Sequence, residues 1–383
     1  MRSIPATKPR PFTHLFLVLT LITLALTAQQ AWTQGSVPHG YRFVQFDAPS
    51  SGTVQYAGTE AVAINNRGAS TGYVIDSGYG AHGFLRNPNG TFSVFDAPGA
   101  DPVVGGTFPA GINDRGVIAG YAIDANAVIH GFLRDPGGVF TIFDAPVVNP
   151  GVGNYLGTVP QGVNDRGEIA GLFEGGDFVG HGFLRATDGK ITVFDDPAEG
   201  VGVNQGTWAY GINEGGAISG GYNDPSGGSH GFVRSAKGTF TNFDFPGETS
   251  AAFNSALINN QGVTAGYYAT STGFVAGYER SPDGKVTSFV PPVAAGATAV
   301  WTFGLGPDGT ALGRVNDNNS VGHAFIRSPS GKTVVFDVPN QILVSNPYSW
   351  GSELWAKNEE GVIVGEFIDA TFVVHSFLLI PEE

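Results

Sequence analysis

One block of sequence returns along this chain at intervals of roughly 50 residues, and that periodicity restricts the fold more than any other feature. Segment 60–98 contains AINNRGASTGY, HGFLR and FSVFDAP in that order. Segment 108–146 repeats it as GINDRGVIAGY, HGFLR and FTIFDAP, 159–197 as GVNDRGEIAGL, HGFLR and ITVFDDP, and 208–246 as GINEGGAISGG, HGFVR and FTNFDFP. Worn copies occupy 254–292 and 301–339, and a truncated one occupies about 350–381.

Each copy holds four short runs with β character separated by turn chemistry. The first run ends at GIN and meets a tight DRG or NRG turn, where Gly supplies positive φ and Asn or Asp can bond its own backbone. The second run resembles VIAGYAID, the third is HGFLR, and the fourth ends at the Pro of FDAP, which cannot donate to a ladder. Four antiparallel strands per copy predict a propeller blade, with each sheet sandwiched between neighbours. Small residues near the end of the first run (Ala63, Gly111, Gly162, Gly211, Gly304 and Ala356) assign it as the crowded inner strand.

The last copy supplies only three runs, SELWAKN, GVIVGEF and VVHSFLL, while segment 41–49, YRFVQFDAP, has the form of a lone fourth run. Six whole copies and one split copy predict an all-β, seven-bladed β-propeller of four-stranded antiparallel blades. The N-terminal strand would complete the C-terminal blade and so close the ring, which removes exposed edges. The expected organisation is therefore a single domain over 41–383, preceded by a linker at 29–40.

Residues 1–28 read as a signal peptide. Arg2, Lys8 and Arg10 precede an uncharged apolar run from Leu15 to Leu26, and small residues at Ala28 and Ala31 suit cleavage near 28–31. The run is short for a membrane span, and no second one follows, so the mature chain is expected outside the cell or in the periplasm, with no span. Composition agrees with many strands and turns: 58 Gly and 24 Pro stand beside 42% hydrophobic and 12% aromatic residues, too many for a disordered chain. The absence of Cys excludes disulfides, thiolate metal sites and a Cys nucleophile. A formal charge of −14 argues against nucleic acid and anionic membranes and is compatible with glycans, cations or basic partners.

The combination of GINxxG, HGFLR and FDxP, together with the literal His323-Ala324-Phe325, resembles the bacterial extracellular HAF-repeat family over nearly the whole mature chain. The resemblance implies an exported protein and brings no established activity, so it transfers no functional residues.

Six histidines share one repeat position: His82, His130, His181, His230, His323 and His375. An Asp follows fourteen residues later in five copies, as Asp96, Asp144, Asp195, Asp244 and Asp337. In the fifth copy both are replaced, by Ala276 and Val290. Joint loss suggests structural His/Asp pairs on adjacent strands, with Asp47 serving His375, because a buried group without its partner is costly. A ligand role remains the other reading, although identical groups one per blade lie too far apart to share a metal. The HGFLR arginines (Arg86, Arg134, Arg185, Arg234, Arg280 and Arg327) are expected to make inter-blade ion pairs, with anion binding as the alternative.

Variable loops lead into the inner strand and join the second strand to the third, so binding is expected on that rim. Phe108, Trp208 and Trp301 open inner strands there, and Asp76, Asp124, Asp224, Asp317 and Asp369 close second strands. Aromatic faces beside carboxylates suit sugar rings. Equally, the rings could plug the channel mouth and the Asp residues could form turns. No metal or cofactor is expected; the chain lacks a DxDxDG loop, which leaves Ca2+ only scattered single Asp residues.

The leading expectation is thus a monomeric, non-catalytic binding propeller for an extracellular glycan or protein. The alternatives are a polysaccharide lyase or glycosidase and a structural surface or matrix protein. No catalytic residues are assigned. Glu60 and Glu353, with Tyr155 and Tyr210 nearby, break the repeat symmetry, but neither glutamate has an obvious partner in sequence.

Overall fold

A computed structural model describes residues 37–146, 156–246, 252–253, 256–293, 296–343 and 351–382. The expected leader, most of the 29–40 linker and Tyr155 lie outside them. Strands are the only regular elements among the described residues.

Strand β1 (Tyr41–Phe46) is followed by β2 (Gly58–Ile64), β3 (Ser70–Ile75), β4 (Ala81–Arg86) and β5 (Phe92–Phe95). β2 to β5 form one antiparallel sheet in sequence order. The same order recurs over 106–143, 156–194, 206–243 and 297–336, with a shorter first strand in the unit between the last two. The last unit holds Ser352–Lys357, Ile363–Ile368 and Val374–Pro381, and β1 pairs antiparallel with the third of these, from Tyr41 opposite Pro381 to Phe46 opposite Ser376.

Two repeated devices fix where these strands begin and turn. Gly58 has φ 142°, and a Cβ there would lie 2.0 Å from the Val374 carbonyl, so only Gly lets the inner strand approach the preceding unit. The next residue, Thr59, is buried and accepts the Ala48 amide through Oγ1 at 2.9 Å. Gly-Thr opens the inner strand again at Gly106-Thr107, Gly157-Thr158 and Gly206-Thr207.

The turn after the inner strand rests on the Asn of GIN. Asn113 Oδ1 accepts the amides of Arg115 (3.1 Å) and Val117 (2.9 Å), while its Nδ2 donates to the Asn164 carbonyl of the next unit at 2.9 Å. Equivalent links join Asn65 to Asn113, Asn164 to Asn213, Asn213 to Asn259 and Asn358 to Asn65. Gly306 breaks the series, and there Lys357 Nζ reaches Asp308 at 2.6 Å instead.

The core lies between successive sheets. The HGF phenylalanines Phe84, Phe132, Phe183 and Phe232 are fully buried, each ring worth about 2–3 kcal/mol. The HGFLR arginines correct the expectation of ion pairs. Arg86, Arg134, Arg185 and Arg234 lie over Phe46, Phe95, Phe143 and Phe194 at 4.8, 4.7, 4.9 and 4.4 Å, each ring belonging to the preceding unit. The contact is between units, but its partner is the Phe of FDAP, because the repeat places no acid there. Of the six, Arg327 alone among the described residues also has a carboxylate, Glu279 at 3.0 Å.

Hydrogen-bonded ladders divide the strands into a 20-stranded and a nine-stranded sheet, so backbone pairing is not closed from end to end. The interruptions fall beside the shortened inner strand of the fifth unit and before Ser352–Lys357. Side chains cross both: Ser219 Oγ donates to the Ala256 carbonyl at 3.1 Å, and Arg314 pairs with Glu353 at 2.8 Å.

Candidate functional site

A single inner-strand position, the residue after Gly-Thr or its counterpart after Ala299-Val300 and Gly351-Ser352, collects most of the side chains that break the repeat. Across the sheet each faces one residue of the second strand: Glu60 opposite Tyr73, Phe108 opposite Tyr121, Val159 opposite Leu172, Trp208 opposite Gly221, Trp301 opposite Arg314 and Glu353 opposite Glu366. A purely architectural position would hold one chemistry throughout, as the buried HGF ring does. Here every pair differs.

The aromatic members are half-buried. Phe108 sits between Tyr73 and Tyr121, each ring 5.1 Å away. Trp208 donates through Nε1 to Glu174 at 3.1 Å, and the Arg314 guanidinium lies 4.3 Å from the Trp301 ring. The acidic members gather where the last unit meets its neighbours. Glu353 and Glu366 stand directly opposite each other, a placement that like charges disfavour. Arg314 Nη1 donates to Glu353 at 2.8 Å, and the Tyr73 hydroxyl donates to Glu60. Glu366 is 1% exposed, and its Oε2 has no hydrogen-bond partner.

Burial pushes the Glu366 carboxyl well above the usual carboxylate range, reinforced by the charges of Glu60 and Glu353. Burial likewise raises Glu60 to about 7, against the lowering effect of the Tyr73 hydroxyl. Sequence offered neither Glu60 nor Glu353 a partner; the fold supplies Tyr73, Arg314 and Glu366. The missed residue, Glu366, occupies a second-strand position that reads Tyr73, Tyr121, Leu172, Gly221, Tyr267 and Arg314 elsewhere, so no motif marks it.

The rim aspartates have different work. Inner-strand start and second-strand end share one end of each sheet, since Gly58 pairs with Ile75 and Gly106 with Ile123. Asp76 Oδ1 accepts the amides of Gly78 (2.7 Å) and Gly80 (2.9 Å), and Asp124, Asp224, Asp317 and Asp369 close their loops the same way. Hydrogen bonds from Ser226 above all hold Asp224 at about 2. The second carboxylate oxygen faces a histidine, as in Asp224–His230 and Asp369–His375, both 3.3 Å.

The other imidazole nitrogen, Nδ1, meets the fourth-strand Asp. The separations are 2.7 Å for His82–Asp96, 2.9 Å for His130–Asp144, 2.9 Å for His181–Asp195, 2.6 Å for His230–Asp244, 2.7 Å for His323–Asp337 and 2.9 Å for His375–Asp47. Five of these pairs are partly exposed on the Asp side, up to 72% at Asp244, which differs from the buried pairing expected from sequence; only His323–Asp337, at 18% and 13%, is largely buried.

The same rim carries aromatic side chains that the motifs did not flag. Tyr79 is 59% and Phe178 37% exposed, and both hold left-handed φ, 66° and 59°. The equivalent loop positions of the other units are left-handed too, with Gly227, Gly273, Ala127, Ser320 and Phe372, so the turn sets the backbone and the side chain it presents varies. Val103, Val201 and Val203, on the loops before inner strands, are also 93%, 81% and 65% exposed.

No protein family and no curated protein matches the chain. Solved structures do. The BP39L lectin from Burkholderia pseudomallei is 9% identical with a TM-score of 0.51, over 85% of this chain and 97% of that one. A puromycin hydrolase S511A mutant complexed with PGG is 16% identical with a TM-score of 0.50, over 88% of this chain and 53% of that one. The chain therefore spans about half the length of the hydrolase. A fungal lectin from Aleuria aurantia with a six-bladed β-propeller fold is 12% identical with a TM-score of 0.43, over 76% of this chain and 97% of that one. The fold is all-β and of β-propeller type. At such identities the likeness concerns fold alone.

Proposed function

We propose that this chain is an exported β-propeller of the HAF-repeat type that binds an extracellular glycan without catalysis. Its seven blades would form a ring closed by β1 on the last unit, and it would act as a monomer without a catalytic cofactor. The reading of the ring draws on the β1 pairing with Val374–Pro381 and on the Asn links that run from unit to unit. Similarity in fold to lectins is compatible with the functional reading and carries no ligand with it.

The observation that carries the proposal is the exposure of two aromatic side chains, Tyr79 and Phe178, on the rim that also holds the half-buried Trp208 and Trp301. Aromatic faces stack on sugar rings, and nearby carboxylates such as Glu174 accept hydroxyl protons. A glycan array on the purified protein tests it. Binding should disappear in Tyr79→Ala/Phe178→Ala or in Trp208→Ala/Trp301→Ala. Binding that survives both double variants rules this face out.

One observation favours the second reading, a polysaccharide-active enzyme. Glu60, Glu353 and Glu366 form an asymmetric set of carboxyl groups, and burial raises the proton affinity of Glu60 and Glu366, a requirement for general acid–base work. Turnover of a bound polysaccharide, lost in Glu353→Gln, would establish that reading in place of the first.

A further inference from the structure

We propose that the third unit carries a site for a divalent first-row transition ion, held by His181, Asp195 and Glu199. One imidazole nitrogen and two carboxylates are the donor set such ions take, whereas Ca2+ prefers six or more oxygens. One ligand atom from each residue lies within 4.8 Å of the others. His181 Nδ1 and Asp195 Oδ1 are 2.9 Å apart. Two ligands bonded to one ion at about 2.1 Å stand about 3 Å apart at a right angle, so this pair is already set for neighbouring coordination positions. Glu199 then has to close in by up to about 2 Å, since a third ligand at a right angle to either of the pair also stands about 3 Å from it. On binding, the ion takes the place of the proton between His181 and Asp195, and that proton leaves to solvent.

Six His–Asp pairs occur among the described residues, and two local features mark this one, the first shared in sequence with Glu248 of the fourth unit, which lies outside the described residues. In the sixth unit Gln341 occupies the repeat position of Glu199, four residues after the paired Asp, and its Nε2 donates to Asp337 Oδ1 at 3.0 Å. The position therefore supplies a donor to the Asp of the pair. Glu199 offers carboxylate oxygens in its place, one of which accepts the Thr207 hydroxyl at 2.5 Å, so the third unit brings oxygen ligands toward Asp195 where its counterpart brings an N–H. Second, Gly175 replaces the loop Asp that faces the imidazole in the other pairs, such as Asp124 and Asp224. In its place a cavity of ≈ 180 Å³, lined by Phe173, Gly175, Asp177, His181 and Asp195, gives an ion and its remaining water ligands a way in.

The test is thermal unfolding and titration calorimetry of the tag-free chain with Zn2+, Mn2+ or Ca2+. Zn2+ at about a hundredfold excess over Kd should raise Tm by about 4 °C, with one equivalent bound. Glu199→Gln copies the amide that the sixth unit already accommodates. It should fold with an unchanged or higher metal-free Tm and lose the Zn2+ response, while His130→Ala, in a pair without this third ligand, should keep it. A Zn2+ response that persists in Glu199→Gln, an equal response to Ca2+, or no response to Zn2+ and Mn2+ would each overturn the assignment.

Discussion

Two of the molecule's charge pairings, the repeated His–Asp pair and the single Arg314–Glu353 pair, differ in nearly every physical respect. On the outer strands the His–Asp pair recurs six times, in five of them with a partly exposed Asp; His375 and Asp47 are 17% and 38% exposed. Between the inner strand of the last unit and the second strand of the sixth, Glu353 and Arg314 pair once, at 7% and 13% exposure, with Glu366 opposite Glu353. An exposed pair gives up little hydration and gains little, so it can be copied from unit to unit or dropped, as at Ala276 and Val290. A buried pair must be completed by its surroundings or it becomes a liability. Repetition therefore marks what the architecture can supply anywhere, and the unique, buried set marks where this propeller departs from its own pattern.

Breaking the buried pair should produce the largest effect. Arg314→Ala leaves Glu353 facing Glu366 with no cation and should lower unfolding free energy by about 3 kcal/mol in a urea titration. Adding Glu366→Gln should restore part of the loss by removing the opposing acid. A loss below about 1 kcal/mol for Arg314→Ala would place it with surface pairs and erase the contrast.

How much of this could be read from the sequence follows from the same contrast. The four-strand unit and the antiparallel placement of β1 on Val374–Pro381 were legible, because period and turn residues repeat. The fourteen-residue spacing brings His and Asp together because a short turn returns the fourth strand alongside the third. Other features left a signal that went unused. The Asn of GIN stands in every unit but the one with Gly306, and Gly-Thr precedes four inner strands, yet neither pattern alone says that its partner lies in the neighbouring unit. The arginines were assigned the wrong partner, since charge suggests a carboxylate and only packing reveals the Phe of the preceding unit. Glu366, Glu199, Tyr79 and Phe178 left no signal, because each sits where the repeat tolerates any residue and only the fold reveals its neighbours.

Proton affinity separates the two regions further. Burial raises Glu60 to about 7 and moves Glu366 in the same direction, so between about pH 4.5 and 7 the folded chain holds protons that the unfolded chain has released. Their contribution is present at low pH and is lost as pH rises through that window. His375, raised chiefly by its bond to Asp47, acts with the same sign: its stabilisation is full below about 6.5 and is lost as pH rises through the folded value. Asp224 works the other way, held at about 2, so its contribution falls away as pH drops below about 4. Thermal melts should therefore show maximal stability near pH 4–5. Glu60→Gln/Glu366→Gln should flatten the decline toward pH 7, and an undiminished slope in that variant would remove these carboxyls as its source. Water screening around the half-buried Glu60 keeps this effect smaller than that of Arg314→Ala.

The smallest effect belongs to a repeated pair, and it bears on the ends of the chain. His375 and Asp47 lie 328 residues apart in sequence, so their contact exists only while β1 is docked on the last unit. Each single alanine variant should cost about 0.5–1 kcal/mol, as exposed pairs do. If the two groups serve each other, His375→Ala/Asp47→Ala should cost no more than the larger single change, since the second substitution finds nothing left to break. Additive losses would mean that each side chain is held by something else, for His375 the Asp369 carboxylate 3.3 Å from Nε2, and would remove the pair from the account of how β1 is fastened. Non-additivity of even half a kilocalorie, about the lower limit of what a cycle resolves, would instead tie the first strand to the last unit in solution through a contact copied from five other places in the molecule, where it joins strands adjacent in sequence.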